Sequence, residues 1–279
     1  MLAALAYSTY KQYNASLKYW WDFCEENAVD FFNPSQNEIL RCLTKKFHEN
    51  ASYTSLNTMR SAIFLICDLS ISKLDAFNRF FRGVFKLRPT KPKYDSTWDP
   101  EKVLSLIETW YPLENLPFPK MSKKLAILAL GSGFRVQLLA SILLKDIKIT
   151  NKGVQIRISE IIKTSNPGAP QPTAFFPFFK EKKALCIASN LMHYLKITKD
   201  KRNKEKLLVG LQRSFNPVCS QTISRWINNV LIEAGIDKTY TAHSTRHASS
   251  SKALRQGLNI NCINKAVGWS KNSKTFYNF

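Results

Sequence analysis

Residues 241–248 read Thr241-Ala242-His243-Ser244-Thr245-Arg246-His247-Ala248, and the rest of the chain is best read outward from them. On a helix, residues three apart share a face, so His243 and Arg246 can both reach one phosphate. His243 and His247, four apart, also suit a metal pair. The other ligands fail that reading: no Glu lies between the histidines, and Cys219 and Cys262 are far away in sequence. Two of the chain's four histidines fall within these five residues, which raises a functional reading above background.

Three more signals stand elsewhere. Gly131-Ser132-Gly133-Phe134-Arg135 lies between two apolar helical runs. Small residues free the backbone there, the following helix N-terminus attracts an anion, and Arg135 adds a two-pronged donor. The same spelling also serves as an ordinary helix–helix turn. Lys163 sits at the end of a hairpin strand beside a loop rich in Pro and Gly, where a lysine on its own reads as solvated. Gly268-Trp269-Ser270 leads into the tail Thr275-Phe276-Tyr277-Asn278-Phe279. Trp269 either packs in a core or offers its N–H to a phosphate oxygen.

The 279 residues suggest two domains at about 150 residues each. Apolar residues make up 44%, enough for a sizeable core, which excludes disordered and fibrous classes. The net charge of +21 is not confined to a tail: residues 1–94 carry +5 and residues 95–279 carry +16. Charge spread over two folded parts points to a polyanion, nucleic acid first and an anionic membrane surface second. The six cysteines form no C-x-x-C pair and read as buried free thiols of a reducing compartment. The start Met1-Leu2-Ala3-Ala4-Leu5-Ala6 is too short and lacks a basic start for a signal peptide, and no run of 18 apolar residues exists. An intracellular protein without a membrane span is expected.

Residues 7–85 read as four helices. Tyr10, Tyr13, Leu17, Trp20, Trp21 and Phe23 stripe the first, and Asn33-Pro34-Ser35 breaks the chain and caps the second. Ser52, Thr54 and Ser55 open the third, and Phe77, Phe80, Phe81, Val84 and Phe85 stripe the fourth. All these aromatics read as core. Two prolines and four basic residues from Lys86 to Lys93 mark a linker, either a solvated tether or a segment lying along a phosphate backbone. Beyond it helix and strand mix. A helix opens at Asp99-Pro100, another runs from Arg135 to Leu144, and residues 154–162 and 173–179 form a hairpin. Ser220 caps a helix with Ile223, Trp226, Ile227, Val230 and Leu231 inward, and Gly235 ends it.

Together these residues resemble the tyrosine recombinase or phage-type integrase family. The strongest match is His243-x-x-Arg246-His247-Ala248 with Trp269 23 residues after Arg246, similar to the family's second arginine box. Gly133-Phe134-Arg135-Val136 looks like the first box, and Leu144-Lys145-Asp146-Ile147 resembles the stretch that follows it. Lys163-Thr164-Ser165-x-Pro167-Gly168 looks like the segment bearing the family's mobile lysine. The wording around Arg135, Arg246 and Trp269 is most similar to recombinases of DIRS-like and Crypton mobile elements.

The resemblance implies a mainly α fold with a small β-hairpin or sheet. It sets a helical, SAM-like core-binding domain at 1–86, a basic linker at 87–97 and an α+β recombinase catalytic domain at 98–279. It implies metal-independent DNA breakage and rejoining through a 3′-phosphotyrosyl link, with no cofactor. Arg135 and Arg246 would stabilise the phosphoryl transition state, Lys163 would protonate the leaving 5′-oxygen, and Trp269 would hold one oxygen. His243 would handle the tyrosine proton or orient the phosphate. Lys45, Lys46, Arg60, Arg82, Lys86, Arg88, Lys91, Lys93, Arg225 and His247 are the expected DNA contacts. The two basic parts would close as jaws around duplex DNA, as a homo-tetramer on DNA and a monomer in isolation, in the nucleus if the source is eukaryotic.

Two departures from the family stand out. Leu138 occupies the place, three after the first arginine, where many members carry an acid. Asn278 stands where the nucleophilic tyrosine usually falls, one residue after Tyr277. DIRS-like tails read Thr-Phe-x-x-Phe-Tyr, so Phe279 ends the chain where that tyrosine would come next. The resemblance thus implies either Tyr277 as nucleophile or a chain cut one residue short of it. A recombinase-derived DNA-binding protein without chemistry is the alternative, and a membrane-surface or RNA-binding scaffold is the third reading.

Overall fold

The computed structural model describes residues 5–67, 74–90, 93–128, 133–161, 165, 168, 171, 173–202 and 204–267. The chain divides into two compact units, residues 1–92 and 93–279.

The first unit is helical. α1 (Tyr7–Asn27) ends at Ala28 in the left-handed region, with φ 53°. α2 (Gln36–His48) starts from a capping box: the Ser35 hydroxyl accepts from the Glu38 amide, and the Ser35 amide donates to the Glu38 carboxylate at 2.6 Å. α3 (Tyr53–Ile66) is capped by Ser52, whose Oγ accepts from the Ser55 amide at 3.1 Å. α4 (Leu74–Leu87) follows. Trp20, Phe23, Ile39, Leu43, Leu56, Ile63, Phe77, Phe81 and Val84 close one core. The expectation that every aromatic packs inward needs correcting: Tyr10, Trp21 and Phe85 are each about half exposed. A helix covered on one side buries a single stripe, and these three rings fall beside it.

The second unit mixes helix with a small sheet. α5 (Pro100–Glu108) begins at Asp99, whose carboxylate accepts from the Glu101 amide. α6 (Phe118–Leu128) and the short α7 (Val136–Ser141) precede a three-stranded antiparallel sheet, β1 (Ile147–Thr150), β2 (Gly153–Arg157) and β3 (Thr173–Pro177), in the order β1-β2-β3. Ile147 pairs with Ile156, Val154 with Phe176 and Arg157 with Thr173. α8 (Ile187–Thr198), α9 (Ser220–Glu233), α10 (Ser244–Arg255) and α11 (Ile260–Val267) complete the described part. Met121, Leu125, Ile127, Leu139, Val154, Ile158, Tyr194, Ile223, Ile227 and Val230 lie in its core.

Several boundaries differ from the sequence reading. The helix expected over 135–144 stops at Ser141, because the Asp146 carboxylate accepts from the Leu143 amide at 2.9 Å and bends the chain into a 3₁₀ turn at 144–146. The hairpin strands end at Arg157 and Pro177, and a third strand, β1, is too short for its periodicity to be read. Cys219, not Ser220, occupies the N-cap of α9. Four cysteines are buried as expected, whereas Cys219 and Cys262 are exposed. Among the described residues, no helix is long and apolar enough to cross a membrane.

Candidate active site

The site grows from the start of α10. Its first turn is unusually well held for so polar a stretch: Ser244, Thr245, Arg246 and His247 are all buried. Two separate segments, residues 94–98 and α9, fix the approach to it. The Thr241 amide donates to the Tyr94 hydroxyl at 3.2 Å, and the two hydroxyls lie 2.9 Å apart. The Ala242 amide donates to Asn228 Oδ1 on α9 at 2.7 Å. The Ser244 hydroxyl accepts from Trp98 Nε1 at 2.9 Å and donates to the Thr241 carbonyl at 2.7 Å. His243 occupies the N-cap and is exposed, while Arg246 and His247 sit one turn deeper.

Arg135 reaches the cluster from another direction. Gly133 adopts φ 66°, a left-handed conformation that a Cβ would strain. That bend sends Phe134 into the core and leaves Arg135 half-buried at the N-cap of α7, where its carbonyl accepts from the amides of Leu138 and Leu139. Leu138, at the place of the family's acid, is itself a buried core residue.

The electrostatics tie these groups together. Burial first, then the Arg135 charge, lowers the Arg246 guanidinium to about 10. Desolvation, then Arg246, Arg135 and Lys93, holds His243 below the ordinary histidine value. Burial, His243 and Arg246 push His247 down to about 4. Among the described residues, every charged neighbour acting on His243 is thus a cation. Adding the positive end of α10, with no acid in its first turn, gives a local field that favours an anion beside a neutral imidazole. Among the described residues, no three His, Cys, Asp or Glu side chains group as metal ligands.

The structure therefore brings together Arg135, His243 and Arg246, with His247 beneath them. Lys93, an expected DNA contact from the segment read as linker, joins them through its charge at His243. Lys163, Trp269, Tyr277 and Lys91 lie outside the described residues. Arg225 is exposed on α9, where its guanidinium donates to Thr222 Oγ1 at 3.3 Å.

Arg82 and Lys86 are exposed on α4. Lys45 and Lys46 are paired with Glu26 and Glu49 at 2.6 and 2.8 Å. Arg60 stacks over the Phe81 ring at 4.7 Å. Arg88 donates to the carbonyls of Ala51 and Phe47 at 3.0 and 3.3 Å and lies 4.1 Å over the Phe47 ring. Its fork is engaged in closing the end of α2, a packing use that composition alone does not distinguish from a surface charge.

Sequence reasoning missed Tyr94 and Trp98, whose partners lie 147 and 146 residues away along the chain, and Asn228, whose partner Ala242 lies 14 residues on. It also missed Lys124 on α6, which is fully buried with Nζ donating to the Trp110 carbonyl. Burial lowers that amine to about 8. An amine inside an apolar helical run is the one signal that singles it out beforehand.

The phage integrase family matches residues 98–278, which contain Arg135, His243 and Arg246. The chain belongs to this family. As a phage integrase family member it is a tyrosine recombinase. It is 25% identical over 256 residues to tyrosine recombinase XerA of Pyrococcus furiosus, covering 91% of this chain and 79% of that protein. Its fold is similar to that of the Tn1549 transposon integrase in complex with transposon right-end DNA, at TM-score 0.59 and 16% identity, over 88% of this chain and 80% of the other. A lambda integrase tetramer bound to a Holliday junction is similar at TM-score 0.54 and 16% identity, over 98% and 72%.

Proposed function

We propose that this phage integrase family member cuts and rejoins duplex DNA at specific sites, through a 3′-phosphotyrosyl intermediate and without metal. One observation carries the reading: Arg135, Arg246 and His243 gather at the positive end of α10, and among the described residues the charged neighbours that lower the imidazole are cations. A phosphoryl transition state spreads negative charge over its non-bridging oxygens, and two fixed guanidiniums stabilise that charge without a metal. A neutral His243 accepts the proton of an attacking tyrosine hydroxyl or holds the phosphate.

The remaining parts are assigned by family likeness. Tyr277, one residue before the family's usual position, attacks the phosphorus, the P–O bond to the 5′-oxygen breaks, and Lys163 protonates that oxygen. Trp269 donates to a non-bridging oxygen. A 5′-hydroxyl of a second strand then reverses the step. Residues 1–86 form the core-binding part, of the SAM-like type, and residues 98–279 the catalytic part. The motif wording supports a mobile element of the DIRS or Crypton kind, acting in the nucleus. The lambda integrase tetramer on its junction supports assembly of four copies on DNA.

The test is single-turnover cleavage of a nicked duplex in the presence of a chelator. The unmodified chain releases a 5′-hydroxyl strand. Arg246→Ala slows release by about 100-fold or more while binding the duplex within a few-fold. A product with a 5′-phosphate, or a rate that requires divalent metal, overturns the reading.

A further inference from the structure

The segment 93–98 enters the second unit as apparent linker, yet its side chains are spent on the turn that carries His243. Tyr94 is buried, stacks on Tyr240 with ring centroids 5.0 Å apart, and meets both the amide and the hydroxyl of Thr241. The Tyr240 hydroxyl in turn donates to the Ser96 carbonyl at 3.1 Å. Trp98 is buried, and its indole N–H ends on Ser244, the first residue of α10. Beyond that point Lys252, on the same helix, reaches Asp99 at 3.3 Å and Glu101 at 3.6 Å. A chain that served only as a tether would leave these groups to solvent.

The bonds fall on the residues that set where His243 points. Thr241 and Ser244 flank Ala242-His243, so holding both ends fixes the backbone from which the imidazole projects. Asn228 supplies one further hold, from α9. A polar turn of this kind is costly to leave unsatisfied, and a hydroxyl that meets two groups of one residue defines its position closely.

We infer that residues 94–98 form a strap that positions the site, with Tyr94 and Trp98 acting as positioning residues that hold the 241–244 turn so that His243 and Arg246 face one phosphodiester. The inference rests on the reading of that cluster as the phosphate site. Tyr94 and Trp98 touch no reacting atom; they act through Thr241 and Ser244. Lys93, the residue before the strap, is carried to the cluster by the same fixation, and its charge is felt at His243.

The test uses the full chain with Tyr94→Phe, which keeps the ring stacked on Tyr240, and Ser244→Ala, which removes the acceptor of Trp98. Two readings are taken. The first is the His243 titration by NMR, governed by the facing groups Arg246, Arg135, Lys93 and His247. The second is the cleavage rate of a nicked duplex at saturating and at limiting DNA. Each variant is expected to move the His243 titration up toward its ordinary value near 6.5 as the turn drifts from the cations. The saturating rate is expected to fall about tenfold, with half-saturating DNA unchanged, as for a group displaced by a fraction of an ångström. A variant that leaves both readings unchanged overturns the role of the contact it removes. An unmodified chain that cleaves nothing overturns the reading of the site, and the His243 titration then decides the strap alone.

Discussion

His243 and His247 lie one helical turn apart with ring centroids separated by 5.6 Å at an interplanar angle of 78°, the first exposed and the second buried. The pair is therefore unequal. One imidazole is available to a substrate, and the other is part of the interior that supports it.

Acid stability follows from that inequality. His247 is lowered to about 4 by burial and by cationic neighbours, so the unfolded chain binds its proton first as the pH falls. The stabilisation is fully present above about 6.5 and is lost between about 6.5 and 4, by about 3 kcal/mol at most. Urea unfolding from pH 7.5 to 4.5 checks this: the midpoint falls steeply in the unmodified protein and less in His247→Gln.

Lys124 works at the opposite end of the scale. Its amine is lowered to about 8 by burial, so the folded state gives up that proton before the unfolded state does. Stability is expected to rise with pH above about 8, by up to about 3 kcal/mol as the ordinary lysine value is approached. Lys124→Met removes that rise; comparing thermal midpoints of the two proteins at pH 7 and pH 9.5 reads it directly.

Arg88 and Lys93 separate structure from ligand binding. Arg88→Ala frees two carbonyls at the end of α2 and uncovers the Phe47 ring, at an expected cost of about 1–2 kcal/mol with little change in duplex affinity. Lys93→Ala leaves stability within about 0.5 kcal/mol and weakens duplex binding, with a smaller salt slope. Denaturation curves and binding isotherms at two salt concentrations distinguish them.

Gly133→Ala places a Cβ on a left-handed residue, with an expected loss of about 1 kcal/mol or more. Because that bend delivers Arg135, nicked-duplex cleavage is expected to fall further than the stability loss explains. Equal cleavage by a folded Gly133→Ala protein would show that the bend has no part in placing the arginine.

Much of this architecture was legible because local signals agreed. Asn33-Pro34-Ser35, the Ser52, Thr54 and Ser55 cluster, and Asp99-Pro100 mark helix starts that the structure contains. The stripe from Ile223 to Leu231 is buried as its spacing requires. The His243-x-x-Arg246 spacing and the bend before Arg135 pointed to three residues that the fold brings together in the candidate site. What escaped depends on long-range contacts. Tyr94 and Thr241 are 147 residues apart, and no periodicity announces that meeting. Strand β1 is four residues long, shorter than any alternation that could be counted. Nor does the sequence tell which basic residues already have partners within the chain, as Lys45, Lys46 and Arg88 do.

The central claim is that Arg135, His243 and Arg246 form the phosphodiester site of a tyrosine recombinase. Incubation of the full chain with a nicked duplex, followed by denaturation and peptide mapping, tests it most directly. The predicted result is DNA joined through its 3′-phosphate to Tyr277, with the adduct lost in Arg135→Ala and Arg246→Ala. An adduct formed equally well by Arg135→Ala or Arg246→Ala, or one carried on a residue other than a tyrosine, would contradict it.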